Sequence, residues 1–159
     1  KRKADENNPK GYFEHEAAKR LMIDKTWLKD AENKAVKIIS QLLFQLPPGY
    51  IYKIIFMERD VTEVIISQQK MLERESGTKD KSYNIALEMQ YRKNLKNVKI
   101  WANKQANVDI LYVSYAEVLA HPKQQAKRIN EFLENKLNVS NMIKAVDIKL
   151  YRIKSYKKK

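Results

Sequence analysis

An arginine and a serine in the middle of the chain have the types and the spacing to grip a phosphate group. Arg59 follows an apolar run at 52–57, and Ser67 stands eight residues later. Asp60, with Glu63 three residues on, predicts a helix N-terminus, whose free N–H groups and dipole favour an anion. A guanidinium suits bidentate contacts with phosphate, and two helical turns bring Ser67 back to nearly the same face. The spacing therefore predicts a phosphate site; the alternative is that Arg59 pairs with a carboxylate and Ser67 is a surface serine.

Other polar residues stand at the predicted strands. Lys37 interrupts a first strand, Arg59 follows a second and Tyr115 follows a third. In open parallel sheets, ligands bind outside the carboxyl ends of the strands, so these are the residues to weigh for chemistry. Lys37 has two interpretations: a cation that faces a ligand, or a lysine whose apolar stem lies along a strand edge while its ammonium reaches solvent.

These residues depend on strands and helices that alternate along the chain. Short β-branched and aromatic runs with breakers nearby predict interior strands, and apolar residues at helical spacing predict amphipathic helices. The strands are predicted at 35–39, 52–57 and 109–113, and the helices at 13–23, 61–74, 87–102 and 126–133. Connections long enough for crossover helices predict the α/β class, a three-layer domain whose central, mostly parallel sheet is covered by helices. One domain is predicted over 1–159, with a loop at 1–12 and a basic tail at 151–159.

Composition restricts the classes of function. The 159 residues are 43% apolar and include no cysteine, so a packed core is expected, while disulfides and thiolate metal sites are excluded. No apolar run reaches the length of a membrane helix and no signal-peptide pattern opens the chain, so we predict a soluble protein in a reducing compartment, the cytoplasm. The net charge of +13 predicts an anionic ligand, surface or nucleic acid. A basic nucleic-acid-binding module is one alternative function, although no recognisable module is present.

Three stretches of the chain together resemble one protein family. Residues 55–60 with Ser67 are similar to the 3′-phosphate motif of sulfotransferases, in which an arginine and a serine have the same spacing. Residues 111–133 resemble the family's later strand, turn and helix, in which a tyrosine, here Tyr115, approaches adenine. Residues 8–14 resemble a segment of its bacterial members. The set resembles bacterial-type sulfotransferases, whose fold is of the P-loop nucleotide-binding type.

The resemblance implies a reaction and assigns residues to it. A sulfuryl group would pass from 3′-phosphoadenosine-5′-phosphosulfate (PAPS) to a hydroxyl or amine acceptor and leave adenosine 3′,5′-bisphosphate (PAP), without a metal. Arg59 and Ser67 would hold the 3′-phosphate, and Tyr115 would approach the adenine. Lys37 would neutralise the charge that builds on the bridging oxygen, which would stabilise the transition state more than the ground state.

Both ends of the chain carry further candidates. Glu14 or Glu16 lies in the segment that the resemblance turns toward the acceptor, and either carboxylate could act as general base. His15 stands between them, but adjacent residues on a helix diverge, which argues against a metal site. Arg152, with Lys154, could form a basic lid over the nucleotide; the alternative is a solvated tail.

The chain departs from the family at its start. Sulfotransferases begin with a strand and a Gly-rich loop that holds the 5′-phosphosulfate, and none of the three glycines here lies in such a loop. The resemblance therefore implies that this strand and loop precede Lys1, and we expect enzymatic activity only with them. A chain without its first strand would expose a sheet edge and could associate with itself, so a non-catalytic scaffold is a further alternative.

Overall fold

The computed structural model of the chain describes residues 4, 9, 11–13, 15–77 and 84–151. The chain falls into two units, each held by its own internal contacts. Unit 1 comprises Lys1–Tyr50 and Lys93–Asn107, and unit 2 comprises Ile51–Arg92 and Val108–Lys159. Arg59 and Lys37 thus belong to different units, and the prediction of one domain over 1–159 stays a prediction.

Unit 2 contains a small parallel sheet. Strand β1, Tyr52–Glu58, pairs with strand β2, Val108–Ser114, from Tyr52↔Val108 to Glu58↔Ser114. Their β-branched and aromatic residues favour a pleated backbone, and parallel pairing requires a long connection between them. The strands predicted at 52–57 and 109–113 are confirmed. The chain is a mixed helix-and-strand protein with a two-stranded parallel sheet, which is consistent with the α/β class.

Most of the chain that the structure describes is helical. Its α-helices are α1, Val61–Ser76; α2, Ile85–Ala102; α3, Tyr115–Ala120; α4, Pro122–Phe132; and α5, Val139–Ala145. The helices predicted at 61–74, 87–102 and 126–133 are confirmed, the last beginning earlier because Pro122 is well suited to the first turn of a helix. In the described ranges, no helix is both long enough and apolar enough to cross a membrane.

Both ends of α1 follow from local chemistry. The Asp60 carboxylate accepts a hydrogen bond from the Glu63 backbone N–H at 3.2 Å, which is the predicted N-cap. Gly77 closes the helix at φ +71°, a left-handed conformation that costs a glycine little. Between these caps, Val61 and Ile65, four residues apart, are buried on one face of the helix.

Unit 1 is built on 3₁₀ helices around a small core. These helices are Glu16–Arg20, Thr26–Ala31 and Ser40–Gln45, and the buried core residues are Ala18, Leu21, Trp27 and Leu28. The α-helix predicted at 13–23 is wrong in type, because this segment forms only a short 3₁₀ helix and a turn. Ala18 and Leu21, three residues apart, are both buried, while Met22 is 66% exposed. That spacing fits three residues per turn.

The strand predicted at 35–39 is also wrong. These residues form no regular element; Val36 and Ile38 pack against the core of unit 1, and Lys37 is exposed between them. A strand needs a neighbour that takes its backbone N–H and C=O groups, and β1 and β2 are the only paired strands in the described part of the chain. The β-branched composition suits a strand, but pairing depends on the tertiary partner.

Candidate functional site

The register of the sheet brings two predicted site residues together. β1 and β2 end opposite each other at Glu58 and Ser114, so Arg59 and Tyr115 leave the sheet side by side. The Arg59 Cζ atom lies 5.3 Å from the centroid of the Tyr115 ring. A guanidinium at this distance from an aromatic face has a favourable cation–π contact. The carboxyl end of the sheet therefore carries a cation packed on an aromatic ring.

A buried carboxylate holds Arg59 from the other direction. The Nε–H of Arg59 donates to Oε2 of Glu63 at 2.9 Å, and only 4% of the Glu63 side chain is exposed. Glu63 lies four residues after Arg59, at the third position of α1. For Arg59, this is the carboxylate pairing that the sequence left open as the alternative. Because a guanidinium carries five N–H donors, the Nε–H bond alone does not exclude contact with a phosphate.

Tyr151 completes the group. Its hydroxyl donates to Oε1 of Glu63 at 2.7 Å, and its ring centroid lies 5.7 Å from the Arg59 Cζ atom and 5.6 Å from the Tyr115 ring centroid. The hydrogen bond to Glu63 is the main cause that raises the pKa of the Tyr151 phenol above its ordinary value, with smaller contributions from burial and the charge of Glu63. We call Arg59, Glu63, Tyr115 and Tyr151 the Arg59 cluster.

The sequence missed two members of this cluster. The sequence predicts Glu63 only as a capping-box residue, whose side chain would reach back to the backbone of Asp60. Its carboxylate instead meets Arg59 and Tyr151. The spacing of four between Arg59 and Glu63 is the signal that could have indicated the pair. Tyr151 lies 88 residues from Glu63 in sequence, and no local pattern connects them.

Ser67 lies on α1 and is half-buried. Glu63 stands four residues before it, so the carboxylate and the Ser67 hydroxyl lie on neighbouring turns of one helix face. Among the described residues, no hydrogen-bond partner is assigned to that hydroxyl. The Asp60 carboxylate occupies the Glu63 N–H, so this donor of the helix N-terminus is not open to an anion as the sequence suggested. The predicted phosphate site around Arg59 and Ser67 therefore contains the carboxylate of Glu63.

Of the remaining candidates, Lys37, Glu14 and Glu16 fall within the range of unit 1, and Arg152 falls within that of unit 2. Lys37 is exposed, and its ammonium donates to the carbonyl oxygen of Tyr12 at 3.0 Å. Glu14 and Arg152 lie outside the described residues. Glu16 is exposed and pairs with Lys19 at 3.3 Å, and the hydrogen bond and charge of that lysine lower the pKa of the Glu16 carboxyl. A lowered pKa makes the Glu16 carboxylate a weaker base than an ordinary glutamate.

Residues 15–138 of the chain, which include Lys37, Arg59, Ser67 and Tyr115, match the family model described as the sulfotransferase family. The matched range is more than half of the chain and covers both strands. Comparison with curated proteins and with solved structures found no match. In the described residues, no group of three or more histidine, cysteine, aspartate or glutamate side chains could hold a metal ion.

Proposed function

The chain belongs to the sulfotransferase family, and from this premise we propose that it binds PAPS and transfers the sulfuryl group to a hydroxyl or amine acceptor. One observation carries the proposal. Arg59 and Tyr115 leave two parallel strands side by side, with the guanidinium carbon 5.3 Å from the tyrosine ring. A nucleotide with a terminal phosphate and an adenine presents the two groups, an anion and a flat ring, that such a pair recognises.

Within this proposal, unit 2 holds the nucleotide. Arg59 binds the 3′-phosphate, the Ser67 hydroxyl donates a further hydrogen bond to it, and Tyr115 packs against the adenine. Arg152 adds positive charge over the nucleotide. The fold that we propose is a three-layer domain of the P-loop type over 1–159, in a cytoplasmic protein.

The chemical step is an in-line displacement. The acceptor oxygen or nitrogen attacks sulfur as the bond from sulfur to the 5′-phosphate oxygen breaks, so PAP leaves with the electron pair. Glu14 takes the acceptor's proton, and the Lys37 ammonium stabilises the charge that develops on the leaving oxygen. The rate then depends mostly on positioning and on electrostatics.

Calorimetry with PAP on the full-length protein tests the proposal. Arg59→Lys keeps a cation beside Glu63 but removes the guanidinium fork, so we expect PAP to bind at least about tenfold more weakly. Arg92→Lys is the matched control, because Arg92 also pairs with a glutamate four residues away, Glu88, on the surface of α2. If PAP does not bind, or binds both variants equally, the proposal fails.

The charge of +13 favours nucleic-acid binding as a second candidate function. The two candidates differ in their dependence on salt. A protein that binds along a phosphate backbone loses affinity steeply as salt rises, because it releases many counterions. A single nucleotide in a partly buried site is screened much less. Affinity for single-stranded oligonucleotides that falls by several powers of ten between low and high salt, with no binding of PAP, would favour the nucleic-acid candidate.

A further inference from the structure

Glu63 is the one buried carboxylate among the side chains that the structure describes, with 3% of the residue exposed. Burial of a charged carboxylate is costly unless donors compensate it. Among the described side chains, two donors do so: Arg59 Nε–H on one carboxylate oxygen and the Tyr151 hydroxyl on the other. Because each oxygen has a different donor, the carboxylate fixes the two side chains relative to each other.

The contacts of Arg59 define one orientation of its guanidinium. Its Nε edge faces Glu63, and its Cζ atom lies within 6 Å of two aromatic rings, those of Tyr115 and Tyr151. An arginine that is free in solvent samples many rotamers, and a ligand that it binds must order them. A guanidinium that is already ordered loses less entropy when a phosphate arrives.

We propose that Glu63 and Tyr151 are positioning residues that hold the Arg59 guanidinium in the plane and rotamer in which it meets the 3′-phosphate of the nucleotide. This inference rests on the proposed function. Its consequence is a division of roles within the Arg59 cluster. Arg59 and Tyr115 contact the nucleotide, whereas Glu63 and Tyr151 act through Arg59. Tyr151 also makes the segment after α5 part of the nucleotide site, because its hydroxyl reaches Glu63 on α1.

The test separates the 3′-phosphate from the rest of the nucleotide. Calorimetry on the full-length protein and its Glu63→Gln variant measures the dissociation constants of PAP and of adenosine 5′-monophosphate, which lacks the 3′-phosphate. The ratio, which is the dissociation constant of the 5′-monophosphate divided by that of PAP, reports the contribution of the 3′-phosphate. Glutamine keeps the shape and loses the charge, so we expect the ratio to fall about tenfold, while 5′-monophosphate affinity changes little.

Two further variants make this result specific. Tyr151→Phe removes one donor and leaves the Arg59–Glu63 pair, so we expect a smaller fall in the ratio, about threefold. Glu88→Gln is the control, because Glu88 also pairs with an arginine four residues away, Arg92, at 2.6 Å on α2, and that arginine side chain is 58% exposed. It should leave the ratio unchanged. If Glu63→Gln fails to fold, Tyr151→Phe still decides the question.

An NMR measurement distinguishes the failure of this inference from that of the proposed function. The Nε–H resonance of Arg59, assigned with Arg59→Lys, should exchange slowly with solvent in the wild type and quickly in Glu63→Gln. If the wild type binds neither nucleotide, the proposed function is overturned. The proposed contact between Arg59 and the 3′-phosphate is then overturned as well. If PAP binds and the ratio is equal in the wild type and Glu63→Gln, or if slow Nε–H exchange persists in that variant, the positioning role is overturned.

Discussion

The Nε atom of Arg59 lies 2.9 Å from Oε2 of Glu63, and that carboxylate is nearly removed from solvent. Arg59 therefore has two roles, as the proposed phosphate ligand and as the partner of a buried negative charge. Substitutions at Arg59 change both at once, and an experiment has to separate loss of binding from loss of stability.

Arg59→Ala should lower the free energy of unfolding by about 1–3 kcal/mol, because it leaves the Glu63 carboxylate buried with one donor fewer. Adding Glu63→Gln removes the unpaired charge, so the double variant Arg59→Ala/Glu63→Gln should recover most of that loss. Urea denaturation at neutral pH measures both. Arg92→Ala, which breaks an exposed pair with Glu88, should cost under about 1 kcal/mol. Equal stability of the single and double variants would show that Glu63 does not depend on Arg59.

Ser67→Ala should weaken PAP binding about fivefold, the effect of one hydrogen bond to a charged group, without a measurable change in stability. The stability should hold because, within the described residues, no partner loses a bond when the Ser67 hydroxyl is removed. Ser76→Ala, a change near the exposed C-terminal end of the same helix, should leave PAP affinity unchanged. An affinity equal to that of the wild type in Ser67→Ala would remove Ser67 from the nucleotide site.

Tyr151 predicts a dependence of stability on alkaline pH. Its folded-state pKa is raised, chiefly by its hydrogen bond to Glu63, above the unfolded value of about 10. The neutral phenol is therefore favoured in the folded state, and its stabilising contribution is complete below about pH 10 and is lost as the pH rises through the folded pKa.

Comparison with Tyr151→Phe isolates this titration from that of the many lysines. The difference in free energy of unfolding between wild type and variant should be constant from pH 6 to about pH 9 and should fall above about pH 10. Denaturation of the wild type and of Tyr151→Phe at a series of pH values measures this difference. A difference that stays constant through the alkaline range would contradict the Tyr151–Glu63 bond.

Lys37→Ala should reduce kcat by roughly two orders of magnitude with little change in PAP affinity, since the proposed charge interaction forms in the transition state. Stability should hold, because Lys37 is exposed and, among the residues that the structure describes, donates only to the Tyr12 carbonyl. Lys34→Ala is the matched control: the Lys34 ammonium also donates to a backbone carbonyl, that of Asp30, at 2.7 Å. Equal kcat values for the two variants and wild type, measured with PAPS and an acceptor, would rule out the proposed role of Lys37.

Local chemistry made much of unit 2 predictable. The β-branched runs at 52–57 and 109–113, the Asp60 cap and the helix that begins after it each depend on residues near in sequence, and all are found. Unit 1 was less predictable. The run at 35–39 has the composition of a strand, but its backbone has no strand partner in the described structure, and the segment around Ala18 and Leu21 takes 3₁₀ instead of α geometry.

From residue types and spacing one can predict that an arginine follows a strand, that a helix begins next to it, and that a tyrosine directly follows another strand. How Arg59 is held depends on contacts between distant parts of the chain. Parallel register set Tyr115 beside it, and the chain brought Tyr151 back across 88 residues to share the Glu63 carboxylate. The physical reason is that caps and strands depend on neighbours in the chain, whereas a buried charge is satisfied by whichever donors the fold brings to it.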